Sequence, residues 1–212
     1  MKFKDFLNEA PLPDKWDKDK FKGRLDFKGM VEYAIERSKV LGKGSSRIAF
    51  EIEYEGRPTA LKIAMNPAGI AQNEQESKYL NDSLIVDLGI TIPIIDFDTT
   101  NIKPRWIHTE MADSIDEDVF IKIFGIDLKN AITCIVADNN VMAPQSELTK
   151  NNMKLLNRDN DLYRSIKKLL VSNPDILYGD IARIVNWGLY KNKPVILDIG
   201  YDSVSSKIKR LK

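Results

Sequence analysis

Five polar residues have the types and the order that chemistry on a phosphorylated ligand requires: Lys62, Glu76, Asp180, Asn186 and Asp198. Lys62 interrupts the apolar segment 59–64, and an ammonium inside such a segment needs an anionic partner, because burying it alone is costly. Asp198 directly follows the apolar run 195–197, and Asp180 and Asn186 precede that run on a predicted irregular loop. Carboxylate and amide oxygens bind magnesium and a lysine neutralises phosphate, so the set favours a site for magnesium and a nucleoside triphosphate.

The helical segment 68–80 offers Lys62 a carboxylate. Glu76 shares a helix face with Tyr79 and Leu80, three and four positions further on, so its side chain can point inward. Glu74 is a rival partner. In the alternative interpretation, both carboxylates belong to a solvated acidic helix face and neither contacts Lys62.

A glycine- and serine-rich turn precedes these elements. Gly42, Gly44 and Ser45 lie where backbone N–H groups can approach a phosphate without obstruction by a Cβ atom. Taken alone, the same residues are typical of an ordinary tight turn. Their position ahead of Lys62 favours a phosphate-binding loop.

Hydrophobic periodicity predicts the elements that carry these residues. Alternation on both sides of the turn at 55–58 predicts a β-hairpin over 47–64, and the apolar stripe of 160–171 predicts a helix. The other periodic segments are helical ones at 29–39, 119–126 and 128–136, extended ones at 90–97 and 105–111, and a strand pair at 187–190 and 194–197. Strands that precede helices predict an α+β fold with a boundary near Ala112.

Composition excludes several classes of protein. The 212 residues are 43% hydrophobic and 30% charged, as in an ordinary globular domain, and the net charge of +1 creates no field that attracts nucleic acid or membranes. A single cysteine, Cys134, and a single histidine, His108, exclude an intramolecular disulfide and the common zinc sites. No apolar run reaches the roughly 18 residues of a membrane span. We therefore expect a soluble protein of a reducing, cytoplasm-like compartment.

Taken in order, the motifs resemble those of the protein-kinase-like family. The segment 42–47 is similar to the G-x-G-x-x-G loop, with Arg47 in place of the third glycine, and the segment 60–62 resembles the V-A-I-K strand. Gly179-Asp180 resembles the catalytic loop, in the form found in aminoglycoside phosphotransferases, and Asp198-Ile199-Gly200 resembles D-F-G. The resemblance implies a two-lobed α+β fold.

The resemblance extends from about Leu41 to Gly200 and implies three regions. Residues 1–38 are expected to be an N-terminal extension. Residues 39–112 would form an upper lobe built on a small antiparallel β-sheet, and residues 113–212 a short, mainly helical lower lobe.

The resemblance also implies a role for each candidate residue. With Gly42, Gly44 and Ser45 at the phosphates, Lys62 would bind the α- and β-phosphates of ATP and Glu76 would hold Lys62. Asp198 and Asn186 would bind Mg2+, while Asp180 would orient or deprotonate the acceptor hydroxyl. The segment 108–112 falls where the family has its hinge, so Thr109 would be the gatekeeper and the backbone of Glu110 and Ala112 would meet the adenine.

The sequence departs from the family pattern in three places. Asn186 lies six residues after Asp180, where the pattern has five, and Arg183 inside that loop is an alternative contact for phosphate or acceptor. Arg47 replaces the third glycine. Only twelve residues follow Gly200, too few for a full activation segment and a peptide-docking platform, so we expect a minimal lower lobe.

The first ten residues carry a separate resemblance. Phe3, Phe6 and Leu7 have helical spacing, and the segment ends Leu7-Asn8-Glu9-Ala10. This is similar to the capsid-targeting peptides of internal head proteins in large tailed bacteriophages, which are cut after L/I-x-E. The resemblance implies cleavage between Glu9 and Ala10, removal of residues 1–9, and packaging in a phage head. A short docking helix on the upper lobe is the alternative.

The sequence thus predicts an ATP- and magnesium-dependent phosphotransferase, acting on Ser/Thr hydroxyls of a host or viral protein. One alternative is a pseudokinase, a catalytically inactive binding module that keeps the nucleotide cleft. Another is a small-molecule phosphotransferase, which Gly179 before Asp180 favours. Nucleotidyl transfer in place of phosphoryl transfer is also compatible with the same residues.

Overall fold

The computed structural model of the chain describes residues 12–13, 15–24, 26–99, 103–138, 146–174 and 176–199. The expected targeting peptide, with its cleavage point after Glu9, and Gly200 of the D-F-G-like motif lie outside these residues. Within the described part of the chain, no helix is both long enough and apolar enough to cross a membrane.

An antiparallel sheet of five strands organises the first half of the chain, in the order β1-β2-β3-β5-β4. Its strands are β1 (Lys39–Lys43), β2 (Arg47–Tyr54), β3 (Arg57–Ala64), β4 (Ile94–Phe97) and β5 (Trp106–Glu110). The predicted hairpin over 47–64 is confirmed as β2 and β3. The extended segments predicted at 90–97 and 105–111 are shorter in the structure, where they form β4 and β5.

Two-residue turns close two of the hairpins. Between β2 and β3, Glu55 and Gly56 have φ values of 51° and 72°, and Tyr54 pairs with Arg57 across the turn. Positive φ at both central residues matches the right-handed twist of the flanking strands. The second strand pair, β6 (Trp187–Tyr190) and β7 (Lys193–Ile196), has the same kind of turn, with φ of 51° and 63° in the two connecting residues.

The N-terminal segment covers one face of the sheet. Helix α1 (Phe27–Ile35) is capped by Asp26, whose Oδ1 accepts a 2.7 Å hydrogen bond from the N–H of Gly29, and a π-helical turn (Lys20–Arg24) precedes it. The helix begins earlier and ends earlier than predicted, because the chain enters β1 at Lys39. The side chains that build this core are Leu12, Trp16, Phe21, Met30, Tyr33 and Ala34 with Ile48, Phe50, Ile52, Leu61, Ile63 and Trp106. Residues 12–34 therefore supply half of an apolar core.

Helices dominate the remainder of the described chain. They are α2 (Pro67–Asn81), α3 (Ser83–Val86), α4 (Glu117–Phe124), α5 (Leu128–Asp138), α6 (Glu147–Leu155), α7 (Asp161–Ser172) and α8 (Tyr178–Ile181). The helices predicted around α2, α4, α5 and α7 are confirmed. Helix α6 was not predicted, because no residue in it is buried and it therefore shows no apolar stripe in the sequence.

The described residues fall into two compact units. The first unit lies within Met1–Ser77 and Pro93–Met111, and the second within Lys78–Ile92 and Ala112–Lys212. The first boundary falls inside α2, and the chain passes between the units again after Met111. The predicted α+β class is confirmed, and the structure shows that its antiparallel sheet has five strands, while the two-lobed kinase-like arrangement stays a prediction.

Candidate functional site

Lys62 lies on the face of the sheet opposite the apolar core. It is flanked by Ala49 of β2 and Ile107 of β5, with which it is in register. Its side chain is 13% exposed. Strand alternation explains this position, because the neighbours Leu61 and Ile63 point into the core on the other face.

Glu76 of α2 provides the anion that Lys62 needs. Its Oε1 accepts a hydrogen bond from Nζ of Lys62, and the Glu76 side chain is fully buried. The rival, Glu74, forms an ion pair of 3.2 Å with Lys103 instead. The contact predicted between Lys62 and Glu76 is therefore present, and its role in nucleotide binding remains a prediction.

A second cation reaches the same carboxylate. The NH1 group of Arg47 donates to Oε2 of Glu76 and to Oδ1 of Asn73, the latter at 3.1 Å. Asn73 is fully buried, and its Nδ2 donates to the carbonyl oxygen of Pro104 at 3.2 Å. In the sequence, Arg47 stands out only as a replacement for glycine. The signal that would have found its role is alternation, since Arg47 and Ala49 share a face of β2 and Ala49 pairs with Lys62.

The start of α2 is attached to the loop between β1 and β2, which positions Glu76. The N–H of Met65 donates to the carbonyl oxygen of Ser46 at 2.8 Å, and Nδ2 of Asn66 donates to that of Ser45 at 3.0 Å. Gly69, in the first turn of α2, lies so close that a Cβ atom there would collide with the Ser46 carbonyl oxygen. Glycine is thus the residue that lets the helix approach the loop.

The glycine-rich turn itself is a short connection between β1 and β2. Gly42 belongs to β1, and the N–H of Gly44 donates to the carbonyl oxygen of Arg47 at 2.9 Å. Neither glycine has positive φ, and a Cβ atom at Gly42 would meet nothing within 4 Å. Ser45 is exposed. The fold of the chain therefore does not itself require glycine at position 42.

Two alanines and a threonine lie near Lys62 on its face of the sheet, together with Ile107, which is directly opposite Lys62 on β5. Ala49 and Ala60 are half-buried, and Ala60 pairs with Thr109 of β5, which is buried. Register and alternation place all three on the face that carries Lys62. The two alanines occupy little volume beside the ammonium, and nothing in the sequence distinguishes them.

The segment predicted as a hinge has both structural and candidate binding residues. His108 is fully buried, and its Nε2 lies 2.7 Å from Oγ1 of Thr59, in line with a packing role. The N–H of Glu110 donates to the carbonyl oxygen of Pro93 at 2.9 Å, and its carboxylate pairs with Arg57. Ala112 begins the next segment of the second unit. The adenine contacts of Glu110 and Ala112 remain predictions.

The other candidate residues lie in the second unit, where two hydrogen bonds link them. Asp180 belongs to the one-turn helix α8, not to an irregular loop as predicted, and Asn186 ends a 3-10 turn (Ile184–Asn186). Nδ2 of Asn186 donates to the backbone oxygen of Asp180 at 2.9 Å. The N–H of Leu197, directly before Asp198, donates to the backbone oxygen of Asn186 at 2.7 Å. Asn186 therefore connects the segment that carries Asp180 to the segment that carries Asp198.

Packing around β7 holds these segments in place. The N–H of Ile196 donates to the carbonyl oxygen of Ile90 at 2.7 Å, so residues 90–92 flank β7 on the side away from β6. Nε1 of Trp187 donates to the backbone oxygen of Ile181 at 2.7 Å, inside the protein. A Cβ atom at Gly188 would lie 2.9 Å from the carbonyl oxygen of Asp113, so no larger residue fits there.

The donor set of the second unit suits a hard cation. Asp180 Oδ2 and Asp198 Oδ1 are shielded from solvent, and with its Nδ2 engaged, Asn186 offers Oδ1 as its ligating atom. Among the described residues, no group of three or more His, Cys, Asp or Glu forms a dedicated metal cage. Magnesium is usually bound by one or two carboxylates together with substrate phosphates, so this oxygen-only set fits it.

Comparisons with known proteins found similarity to solved structures. No model of a protein family matches the chain, and no curated protein sequence matches it. One similar solved structure is that of aminoglycoside phosphotransferase APH(4)-Ia, with 12% sequence identity and a TM-score of 0.29. The match covers 56% of this chain and 38% of that chain, so the chain spans well under half the length of that protein. A TM-score this low establishes neither a shared fold nor an activity.

Proposed function

We propose that the chain is an ATP- and magnesium-dependent phosphotransferase that transfers the γ-phosphoryl group to a hydroxyl. The observation that carries the proposal is the buried contact of Lys62 with Glu76. Replacing a buried ion pair by apolar residues is often neutral or stabilising, so stability alone is a poor reason for such a pair. The need to orient a lysine toward phosphate is a better reason for the pair.

In the proposal, residues of the first unit bind the nucleotide. The ammonium of Lys62, held by Glu76, neutralises the α- and β-phosphates. The small side chains of Ala49 and Ala60 leave room for an aromatic base, and glycine at 42 keeps the loop open to the phosphates, since the fold itself does not need it there. Catalysis in this reaction class rests on positioning and charge neutralisation, and these residues supply both.

The second unit supplies the reacting groups. Asp198 and the Oδ1 atom of Asn186 hold magnesium, which when bound neutralises charge that develops on the phosphates. Asp180 accepts the proton of the acceptor hydroxyl. The acceptor oxygen then bonds to the γ-phosphorus, the bond from that phosphorus to the bridging oxygen breaks, and ADP leaves. We take the acceptor to be a Ser/Thr hydroxyl of a host or viral protein.

A non-catalytic nucleotide-binding module is the second candidate. It is favoured by the turn between β1 and β2, where the N–H of Gly44 is engaged by the carbonyl oxygen of Arg47 and so is not directed at a ligand. In that case Lys62 would still bind ATP, and Asp180 would have no acceptor to deprotonate.

The test is incubation of the purified chain with γ-labelled ATP and magnesium, with generic protein substrates and an aminoglycoside as acceptors. The variants are Lys62→Ala and Asp198→Ala. The matched control is Lys103→Ala, which removes an exposed lysine paired with the same helix. Intact mass distinguishes a phosphate from a nucleotide on the product.

Phosphate transfer that both variants lose and the control keeps would support the proposal, and the labelled acceptor would name the substrate class. A gain of nucleotide mass would change the assignment to nucleotidyl transfer. Absence of transfer, with ATP binding that Lys62→Ala abolishes, would leave the binding module. ATP binding that is indifferent to Lys62→Ala would refute both candidates.

The place of action is proposed from residues 1–10 alone. Removal of residues 1–9 and packaging in a phage head predict a mature protein that begins at Ala10. Intact mass of the protein purified from its natural source, compared with that of the full chain, decides between the processed and the unprocessed form.

A further inference from the structure

One carboxylate in the first unit serves two cations. Lys62 binds one oxygen of Glu76 and Arg47 binds the other. The Glu76 side chain has no exposure, and those of Arg47 and Lys62 are 9% and 13% exposed. Arg47 is further held through Asn73, whose amide is attached to the backbone of Pro104.

We propose that Arg47 is a positioning residue that retains the Glu76 carboxylate when Lys62 turns toward an anionic ligand. The inference rests on the proposed function, since it gives Lys62 a phosphate to bind. It assigns Arg47, which stands where the related glycine loop has its third glycine, to the ion-pair network and not to the loop.

The physical reason is the cost of an uncompensated buried charge. Without Arg47, movement of the Lys62 ammonium to a phosphate would leave the buried carboxylate of Glu76 with an uncompensated negative charge. Arg47 offsets this cost, because its NH1 group stays on Oε2 while Oε1 is released. Lys62 can then exchange partners without displacing α2, which carries Glu76.

The test is a double-mutant cycle on the full chain without nucleotide. The unfolding equilibrium constants of wild type, Lys62→Met, Arg47→Gln and the double variant are measured in urea. Each single variant leaves Glu76 with one cation, whereas the double variant leaves it with neither. Each substitution multiplies the unfolding equilibrium constant by some factor. We expect the factor for the double variant to be roughly 100-fold larger than the product of the factors for the two single variants.

Arg105→Gln combined with Lys62→Met is the matched control. Arg105 also binds a buried carboxylate of the first unit, but that carboxylate is Asp98, at 2.9 Å. We expect the effects of these two substitutions to be additive. Additive effects of Arg47→Gln and Lys62→Met would overturn the proposal.

A third substitution decides the case if the double variant does not fold. Adding Glu76→Gln removes the carboxylate charge, so folding should return if that charge was the cause. A triple variant that stays unfolded would overturn the proposal.

Nucleotide binding provides a readout that a purely structural role would not change. We expect Arg47→Gln to weaken the affinity for Mg·ATP about 10-fold, Arg47→Lys to restore part of it, and the surface variant Lys103→Gln to leave it unchanged. Unchanged affinity in Arg47→Gln would refute the positioning role. If the wild type does not bind Mg·ATP, the proposed function fails, while the unfolding cycle still decides whether Arg47 retains Glu76.

Discussion

The two units position their candidate residues by different means. In the first, side chains of β2, β3 and α2 meet at the Glu76 carboxylate, so charge pairs set the geometry of Lys62. In the second, Asn186 reaches the backbone of Asp180, and the backbone of Leu197 reaches Asn186. Charge removal in the first unit should therefore affect folding as well as binding, whereas a neutral isostere in the second unit should affect chemistry almost alone.

The largest effect that would sharpen this comparison is that of Asp180→Asn. The amide keeps the volume of the side chain and the backbone bond to Asn186, and it cannot accept the acceptor proton. We expect kcat to fall about 10²- to 10⁴-fold, with KM for ATP and the unfolding midpoint unchanged. Steady-state kinetics and thermal unfolding measure this, and a kcat within threefold of wild type (roughly 0.7 kcal/mol) would break the assignment.

Core substitutions test whether residues 12–34 are as integral to the first unit as α4 is to the second. Phe21 and Phe120 are both fully buried. Truncating either to alanine should lower the free energy of unfolding by about 3–5 kcal/mol, because a large cavity remains. Urea unfolding provides the measurement, and Leu148→Ala on the exposed face of α6 is the control with little effect. If Phe21→Ala lowered the free energy of unfolding only slightly while Phe120→Ala lowered it strongly, the N-terminal segment would not be an integral part of the first unit.

Glycine substitutions separate packing from binding within the first unit. Gly69→Ala forces α2 away from the Ser46 carbonyl oxygen, so we expect a loss of about 1–3 kcal/mol in unfolding free energy. Gly42→Ala meets open space and should leave stability nearly unchanged while weakening ATP binding. Thermal unfolding and ATP titration measure both. Equal stability of the two variants would contradict the close approach of α2 to the loop.

Smaller effects concern pH and the ion pair between Asp138 of α5 and Arg158 in the second unit. Hydrogen bonds from Arg158, at 2.8 Å, and from Tyr163 hold the pKa of Asp138 below its usual value. This stabilisation is present above the unfolded pKa of about 4 and is lost as pH falls through the lower folded pKa. We expect Asp138→Asn to cost about 1 kcal/mol at neutral pH, since Arg158 is partly exposed, and to flatten the acid limb of the stability profile.

The alkaline limb follows from Tyr163 in the same cluster. Burial, and then the hydrogen bond to Asp138, raise the pKa of Tyr163 from 10.0 to about 12. The neutral phenol therefore stabilises the fold below pH 10, and this contribution is lost as pH rises through about 12. Tyr163→Phe should remove that dependence, measured by urea unfolding across the alkaline range.

In the first unit, the pKa of Asp96 is shifted in the direction opposite to that of Asp138. Burial raises the pKa of the Asp96 carboxyl group, so the charged form is penalised in the folded state at neutral pH. Asp96→Asn should accordingly leave stability unchanged or slightly raised, where Asp138→Asn lowers it. A loss of stability in both variants would show that the two carboxylates do not differ as described.

The sequence predicted the elements whose periodicity reflects burial on one face. Lys62 was found because an ammonium breaks the alternation of an apolar strand, and helical spacing made Glu76 a candidate partner beside Glu74. Helix α6 was missed because it buries no residue. Helix α8 was wrongly predicted as an irregular loop, because a helix of one turn has no periodicity to detect.

By itself the sequence determined the β2–β3 hairpin, the helices with apolar stripes and the candidate charges, since each depends on residues close together along the chain. Tertiary structure alone decided that Glu76 and not Glu74 meets Lys62, and that Arg47 shares the same carboxylate. It also decided that the N-terminal segment completes the core beneath the sheet. These contacts join residues 14 to more than 80 positions apart in the chain, and only packing of the sheet, the helix and the N-terminal segment selects them.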